Sequence, residues 1–215
     1  MIIVMDPEVP AMRLTVNTFL SIDGVMQGPG GADEDPSNGF DRGGWLVPLA
    51  DDEMDRLVSG WFRQADALLL GRTTYEMMQP YWELVTDPSD VVADSLNHLP
   101  KYLVSSTVTD PTWHNTTVIS GDPVGAVTAM KEQGHGEVQV HGSYRLARAL
   151  YEAGLVDEYR LLIFPVVVGA GKRLFEDAAA PSSFMVTGSH VTKSGAVALS
   201  LLPRPFKAAE MPPVG

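Results

Sequence analysis

The chain has 215 residues, 45% of them hydrophobic and 20% charged, a composition that suits one globular domain with a single sizeable core. It contains no cysteine, which removes disulfides, thiolate nucleophiles and thiolate zinc sites together and makes a cytoplasmic location the default expectation. A formal net charge of −12 argues against nucleic-acid and anionic-membrane partners, so any phosphate-bearing ligand must meet locally concentrated binding groups.

Residues 1–11 add no periodic element, lack the basic start of a signal peptide and carry Asp6, Pro7, Glu8 and Pro10, so Met12 is a candidate translation start. Residues 12–21 alternate. Met12, Leu14, Val16 and Leu20 share one face, whereas Arg13, Thr15, Asn17, Phe19 and Ser21 form a second, polar and potentially ligand-facing side of a strand. Residues 26–44 are rich in Gly, Pro, Asp and Asn without a period, which marks a long functional or disordered loop. Its acidic stretch at 33–35 lacks the glycine offset and closing glutamate of a calcium loop.

Met54, Leu57, Val58, Trp61 and Phe62 recur at i, i+3, i+4, i+7 and i+8, which predicts an amphipathic helix. The run 67–70 reads as a buried strand, and 73–79 as a short helix stopped before Pro80. Asp87-Pro88 signals a helix start, with Val92, Leu96 and Leu99 as its apolar stripe. Strands are expected at 102–105 and 116–120, and a helix after Asp122-Pro123 that buries Val124, Val127 and Met130. A strand at 138–141 precedes a helix at 143–153 closed by Gly154 and Leu155. Residues 158–168 suit a central strand; 184–191 and 197–202, split by Ser194-Gly195, form a terminal hairpin, and the proline-rich tail from Pro203 frays. Alternating strands and helices imply one α/β domain over 12–202, with a mostly parallel sheet of about eight strands and an antiparallel hairpin at the end.

Three strand ends carry candidate chemistry. Gly71-Arg72-Thr73-Thr74 places a glycine, an arginine and two hydroxyls at a helix mouth, where free N–H groups and the positive helix end favour a phosphate; the alternative is a capped helix with a surface arginine. His141-Gly142-Ser143 repeats the arrangement, with Ser143 as helix cap and hydrogen-bond donor, and Ser105-Ser106 ends a third strand. Ligands of open α/β sheets collect at the carboxyl ends of strands. Gly169-Ala170-Gly171-Lys172 is either a further phosphate loop or a tight turn. The five histidines form no i, i+4 pair with clustered carboxylates, so no metal is expected. Asp51-Asp52-Glu53 opens a helix, where acidic residues offset the dipole.

Ser21-Ile22-Asp23-Gly24 resembles the Ser-Leu-Asp-Gly motif of the riboflavin-pathway reductase domain, within the dihydrofolate-reductase-like superfamily. Leu155-Val156-Asp157-Glu158, then Pro165 and Gly169, look like that family's last helix–strand passage, and Gly71-Arg72-Thr73-Thr74 is similar to the cofactor segment of dihydrofolate reductase. The resemblance covers about residues 12–202. It implies a dihydrofolate-reductase-like fold and an NADPH-dependent reductase similar to 5-amino-6-(5-phosphoribosylamino)uracil reductase, acting on a pyrimidine, a pterin-like or a related carbonyl or imine substrate. By the family pattern Arg72 and Thr74, with Ser105 or Ser106, would hold the adenosine 2′-phosphate. Gly142 and Ser143 would meet the pyrophosphate, and Gly71 and Thr73 would belong to the same cofactor-binding set. Asn17, Asp23 and Gly24 would lie near nicotinamide and substrate, under a lid formed by 26–44. Residues 45–51, Trp45 to Asp51, are similar to the tryptophan-to-aspartate segment of dihydrofolate reductase with one extra residue, so Asp51 and Asp23 are rival catalytic anchors. With no cysteine and no room for the zinc deaminase domain of the bifunctional riboflavin enzyme, the chain would be a stand-alone reductase, and the family implies a homodimer. A nucleotide-binding protein without turnover and a dihydrofolate reductase are the alternatives.

Overall fold

The computed structural model describes residues 11–176 and 179–208; residues 1–10, assigned above to an N-terminal tail, and 209–215 lie outside the described residues. Eight strands, β1 (Arg13–Ser21), β2 (Ala67–Gly71), β3 (Lys101–Val104), β4 (Thr116–Ile119), β5 (Glu137–His141), β6 (Glu158–Phe164), β7 (Ser182–Val191) and β8 (Val197–Pro205), form one sheet. Its order is β4-β3-β2-β5-β1-β6-β8-β7. The first six positions pair in parallel, and β8 and β7 add an antiparallel hairpin at one edge. Helices α1 (Asp52–Phe62), α2 (Arg72–Trp82), α3 (Val91–His98), α4 (Pro123–Gln133) and α5 (Tyr144–Glu152) connect the parallel strands. This is the mostly parallel α/β architecture that the alternation of periods implies.

The helices divide between the two faces. Leu14, Val16, Leu69, Val138 and Val140 pack with Val127 of α4 and Leu146 and Leu150 of α5. On the other face Leu68, Leu70 and Leu103 pack with Phe62 of α1, Tyr75 of α2 and Leu96 of α3. Central strands are thus covered twice, which explains runs such as Leu68-Leu69-Leu70 that show no alternation.

Several boundaries differ from the sequence expectations. Helix α2 does not stop before Pro80 but continues to Trp82, because a proline there forfeits only one N–H and the helix end is fastened by Glu83 N donating to Gln79 O. Asp87 does not open a helix: its carboxylate turns back to accept from Ser89 N and Oγ, and Asp90 caps α3 through Val92 N and Ala93 N. Strand β6 ends at Phe164 rather than continuing to Val168, since Pro165 has no N–H for the ladder. The hairpin is longer than expected. Strand β8 runs to Pro205, where Pro203 and Pro205 lie beyond the start of β6 and pair with β7 alone.

Candidate functional site

The polar side of β1 is not open to a ligand from above but closed under α1. Parallel register sets Arg13, Thr15 and Asn17 beside Glu137, Gln139 and His141 of β5, and Thr15 and Asn17 beside Glu158 and Arg160 of β6. Arg160 grips Glu137 bidentately at 2.7 and 2.9 Å and lies 3.2 Å from Glu158; Arg13 closes the outer end on Glu158. Gln139 joins the layer to the helix by donating to Trp61 O at 2.7 Å. Asn17, 1% exposed, donates to Gln139 Oε1 at 2.9 Å, and His141 Nε2 meets the same oxygen at 2.8 Å. Among the described residues Asn17 Oδ1 and Thr15 Oγ1 are buried acceptors with no partner. Burial first, and the Arg160 guanidinium second, push the His141 imidazole down to about 3, so it is neutral.

The segment Ser21-Ile22-Asp23-Gly24 is a turn built around a carboxylate. Ser21 Oγ donates to Asp23 and accepts from Val25 N, while Gly24 takes φ +80° as Gly24 N returns to Ser21 O. Asp23 also accepts from Val168 N at 3.0 Å and Gly169 N at 2.8 Å, and Arg173 reaches both its carboxylate and its carbonyl. Burial opposes the charge, yet the Ser21 hydroxyl and the two backbone amides outweigh it and hold Asp23 well below the usual carboxylate range. Asp157 plays a similar part at the other end of β1. It accepts from Leu14 N and pairs with Lys131, while its own N–H donates to Leu14 O.

Asp51 is the N-cap of α1. Its Oδ1 accepts from Glu53 N and Met54 N, and its Oδ2 accepts from Ser194 N in the β7–β8 turn, so both oxygens are committed to backbone amides. Those amides, Met54 N first, hold its pKa far below that of a free aspartate. The two Oδ1 bonds are those of a helix cap, and the Ser194 bond ties the start of α1 to the hairpin turn. Neither Asp23 nor Asp51 stands as a proton source at neutral pH, since each is a carboxylate saturated by donors.

The strand-end motifs converge. Strands β2 and β5 are neighbours inside the sheet, so Gly71 and the Gly142-Ser143 pair meet at the carboxyl ends of the strands. Ser143 does not cap α5 as the sequence suggested. It sits at φ 60°, ψ 62°, and its Oγ accepts from Gly71 N at 2.7 Å and donates to Thr74 Oγ1 at 2.9 Å. The space next to Gly71 is therefore taken by Ser143: a Cβ there would lie 3.1 Å from Ser143 Oγ. Neither α2 nor α5 carries a side-chain cap. Arg72 and Thr73 are exposed on the first turn of α2, Arg72 in an i, i+4 pair with Glu76 at 2.8 Å. At the end of β3, Ser105 is buried and turns its Oγ to Thr107 N and Val108 N, whereas Ser106 is exposed.

Residues 26–44 are tied down rather than loose. Gln27 donates to Asp35 O and Ser37 O and accepts from Lys172 N; Lys172 Nζ pairs with Asp35 at 2.5 Å. The Gly169–Lys172 segment is thus a tight turn docked on this loop. Gly171 has φ +128°, with no room for a Cβ against Val25 and Phe40. Between Ser37–Arg42, one face of α5 and this turn opens a cleft of about 740 Å³. Tyr144, Arg145 and Arg148 line it. Sequence reasoning passed over these three, although a basic pair at i, i+3 on the helix after a glycine junction was a usable signal. His141 was also missed as part of a buried layer, since that layer forms only when β1, β5 and β6 pair and Phe62 of α1 stacks on the ring. Among the described residues no group of three or more histidines and carboxylates is placed to hold a metal ion, and no helix is long and apolar enough to cross a membrane.

Comparison with known proteins places this geometry. Residues 12–198 match the model of the RibD C-terminal domain. The uncharacterized protein YyaP of Bacillus subtilis (strain 168) is 25% identical over 190 residues, covering 86% of this chain and 92% of that protein. A putative riboflavin biosynthesis protein from Shewanella sp. PV-4 has a similar fold, with a TM-score of 0.64 at 19% identity over 90% of this chain and 99% of the other. Dihydrofolate reductase from Enterococcus faecalis, solved with NADP(H), follows with a TM-score of 0.57 at 13% identity over 89% and 96%. The fold is dihydrofolate-reductase-like, and the chain belongs to the RibD C-terminal domain family.

Proposed function

We propose that this chain is an NADPH-dependent reductase of a small pyrimidine, pterin-like or related carbonyl or imine substrate. The observation that carries the reading is the pair of helix N-termini, α2 and α5, delivered side by side at the carboxyl ends of adjacent strands with no side chain capping either. Uncapped N–H groups beside a positive helix end suit phosphate oxygens. Arg72 and Thr73 would hold the 2′-phosphate, and Gly142 with the first turn of α5 would hold the pyrophosphate. The similar dihydrofolate reductase solved with NADP(H) supports a nucleotide of that type as the ligand.

When bound, a reduced nicotinamide supplies the hydride. The chain's part is to hold donor and acceptor about 3–3.5 Å apart and to exclude water. The segment 26–44, anchored by Gln27 and Lys172, would roof the site. Asp23 would act by fixing the turn after β1 against Gly169, as a positioning residue. Asn17, 1% exposed in the layer closed under α1, would act through the position of β1 and not by touching the ligand. For the homodimer, the unpaired edge strand β7, with Met185, Val186 and Val191 exposed, offers a surface to bury.

A nucleotide-binding protein without turnover is the second reading, favoured by the saturation of both candidate acids. Titration with NADPH and NADH, followed by fluorescence, tests the site: tight binding with a preference for NADPH supports it, and binding of neither removes it. Loss of reduced-nicotinamide absorbance with candidate pyrimidines or pterins then separates reductase from binding protein.

A further inference from the structure

Ser143 is one of three described non-glycine residues with positive φ, and it is the one whose side chain ties two strand ends together. A serine in the left-handed region is disfavoured and persists only where its surroundings over-determine it. Here they do. The hydroxyl accepts from Gly71 N and donates to Thr74 Oγ1, joining the β2–α2 junction to the β5–α5 junction. Helices α1, α3 and α4 are capped by Asp51, Asp90 and Asp122, whereas Ser143 gives its hydroxyl to the neighbouring junction and leaves α5 uncapped.

We propose that the Ser143 hydroxyl is a staple that fixes the spacing of the two helix N-termini and thereby sets the preference of the site for a 2′-phosphorylated dinucleotide. The inference rests on the nucleotide-site reading above. Its two ends adjoin the residues assigned to the two phosphate groups: Arg72 follows Gly71, and Gly142 precedes Ser143. A ligand that touches both junctions feels their spacing. NADH, which lacks the 2′-phosphate, touches one of them. Loss of the staple therefore weakens NADPH more than NADH, although Ser143 itself contacts neither nucleotide through its hydroxyl.

The test uses Ser143→Ala and Ser143→Gly in the full chain; the glycine variant keeps the left-handed backbone without strain, so it covers the case in which the alanine variant fails to fold. In either variant hydrogen exchange of the Gly71 amide is expected to rise about tenfold or more. The ratio of NADH to NADPH dissociation constants is expected to fall about threefold to tenfold. Adding Arg72→Ala to Ser143→Gly is expected to cost less NADPH affinity than Arg72→Ala costs in the wild type. An unchanged ratio with both nucleotides weakened equally, or not at all, overturns the discriminating role. An unchanged Gly71 exchange rate overturns the staple itself. Wild-type protein that binds neither nucleotide refutes the functional reading and the discriminating role with it, while the exchange measurement still decides the staple.

Discussion

The imidazole of His141 lies flat on the ring of Phe62, with centroids 4.2 Å apart and planes 9° from parallel, and its Nε2 meets Gln139 Oε1 on its own strand. This contact seals the polar layer of β1, β5 and β6 beneath α1. A ring so placed cannot be hydrated when it gains a proton.

Stability therefore falls with acid through His141. Its folded pKa of about 3 lies below the unfolded 6.5, so between these values the unfolded chain binds a proton that the native protein does not. The contribution is intact above pH 6.5 and declines below it, by at most about 1.4 kcal/mol per pH unit. Urea unfolding from pH 7 to 4.5 should show a shallower decline for His141→Asn than for the wild type. Parallel curves would mean that the ring is hydrated in the native state.

Arg160→Met should destabilise strongly. It leaves the buried Glu137 and Glu158 with only the half-exposed Arg13 as a neighbouring cation among the described residues. Breaking a buried pair from one side costs about 3–5 kcal/mol. Replacing Arg160, Glu137 and Glu158 together by apolar residues of similar volume should cost much less, which thermal or chemical denaturation of the two variants would reveal.

Asp23→Asn should lower stability by about 2 kcal/mol, because an amide cannot accept from Val168 N, Gly169 N and Ser21 Oγ together. In a chain of this size that corresponds to a Tm about 6 °C lower. Since the folded pKa of Asp23 is depressed, its contribution is complete above the ordinary 3.8 and is lost as pH falls below it. Once a substrate is in hand, the pH profile of kcat should keep its shape in Asp23→Asn. Loss of an acidic limb would instead make Asp23 a participant in proton transfer.

Arg72→Ala should weaken NADPH about tenfold or more and leave NADH nearly unchanged, as expected for loss of a charge-assisted phosphate contact. Arg72 is half exposed and among the described residues pairs only with Glu76 on its own helix, so its removal should leave the melting temperature close to that of the wild type. Fluorescence titration with both nucleotides checks this. Equal losses would move the 2′-phosphate to another residue.

Element types and their order were legible in the chain because each depended on local spacing. Leu57, Trp61 and their neighbours forced a helix, and Gly154 with Leu155 ended one. Boundaries failed where a single side chain chose between local partners: Asp87 for Ser89, Asp90 for the helix, Pro165 for no ladder bond at all. The motif residues were found, but their contacts were not. Asp23, Asp157 and Asp51 were conspicuous in sequence, and each proves to be bound to main-chain amides from distant segments or its own helix.

By itself, then, the sequence determined the alternation of strands and helices, the closing hairpin and the two glycine junctions, since these rest on periods and turn chemistry within a few residues. Only the tertiary structure decided that the polar face of β1 is sealed by charges from residues 137–160, because neutralising a buried polar row requires partners more than a hundred positions away. It also decided that the space beside Gly71 belongs to Ser143: two strands distant in the chain become neighbours only when the sheet is assembled, and hydrogen bonding acts at that contact distance.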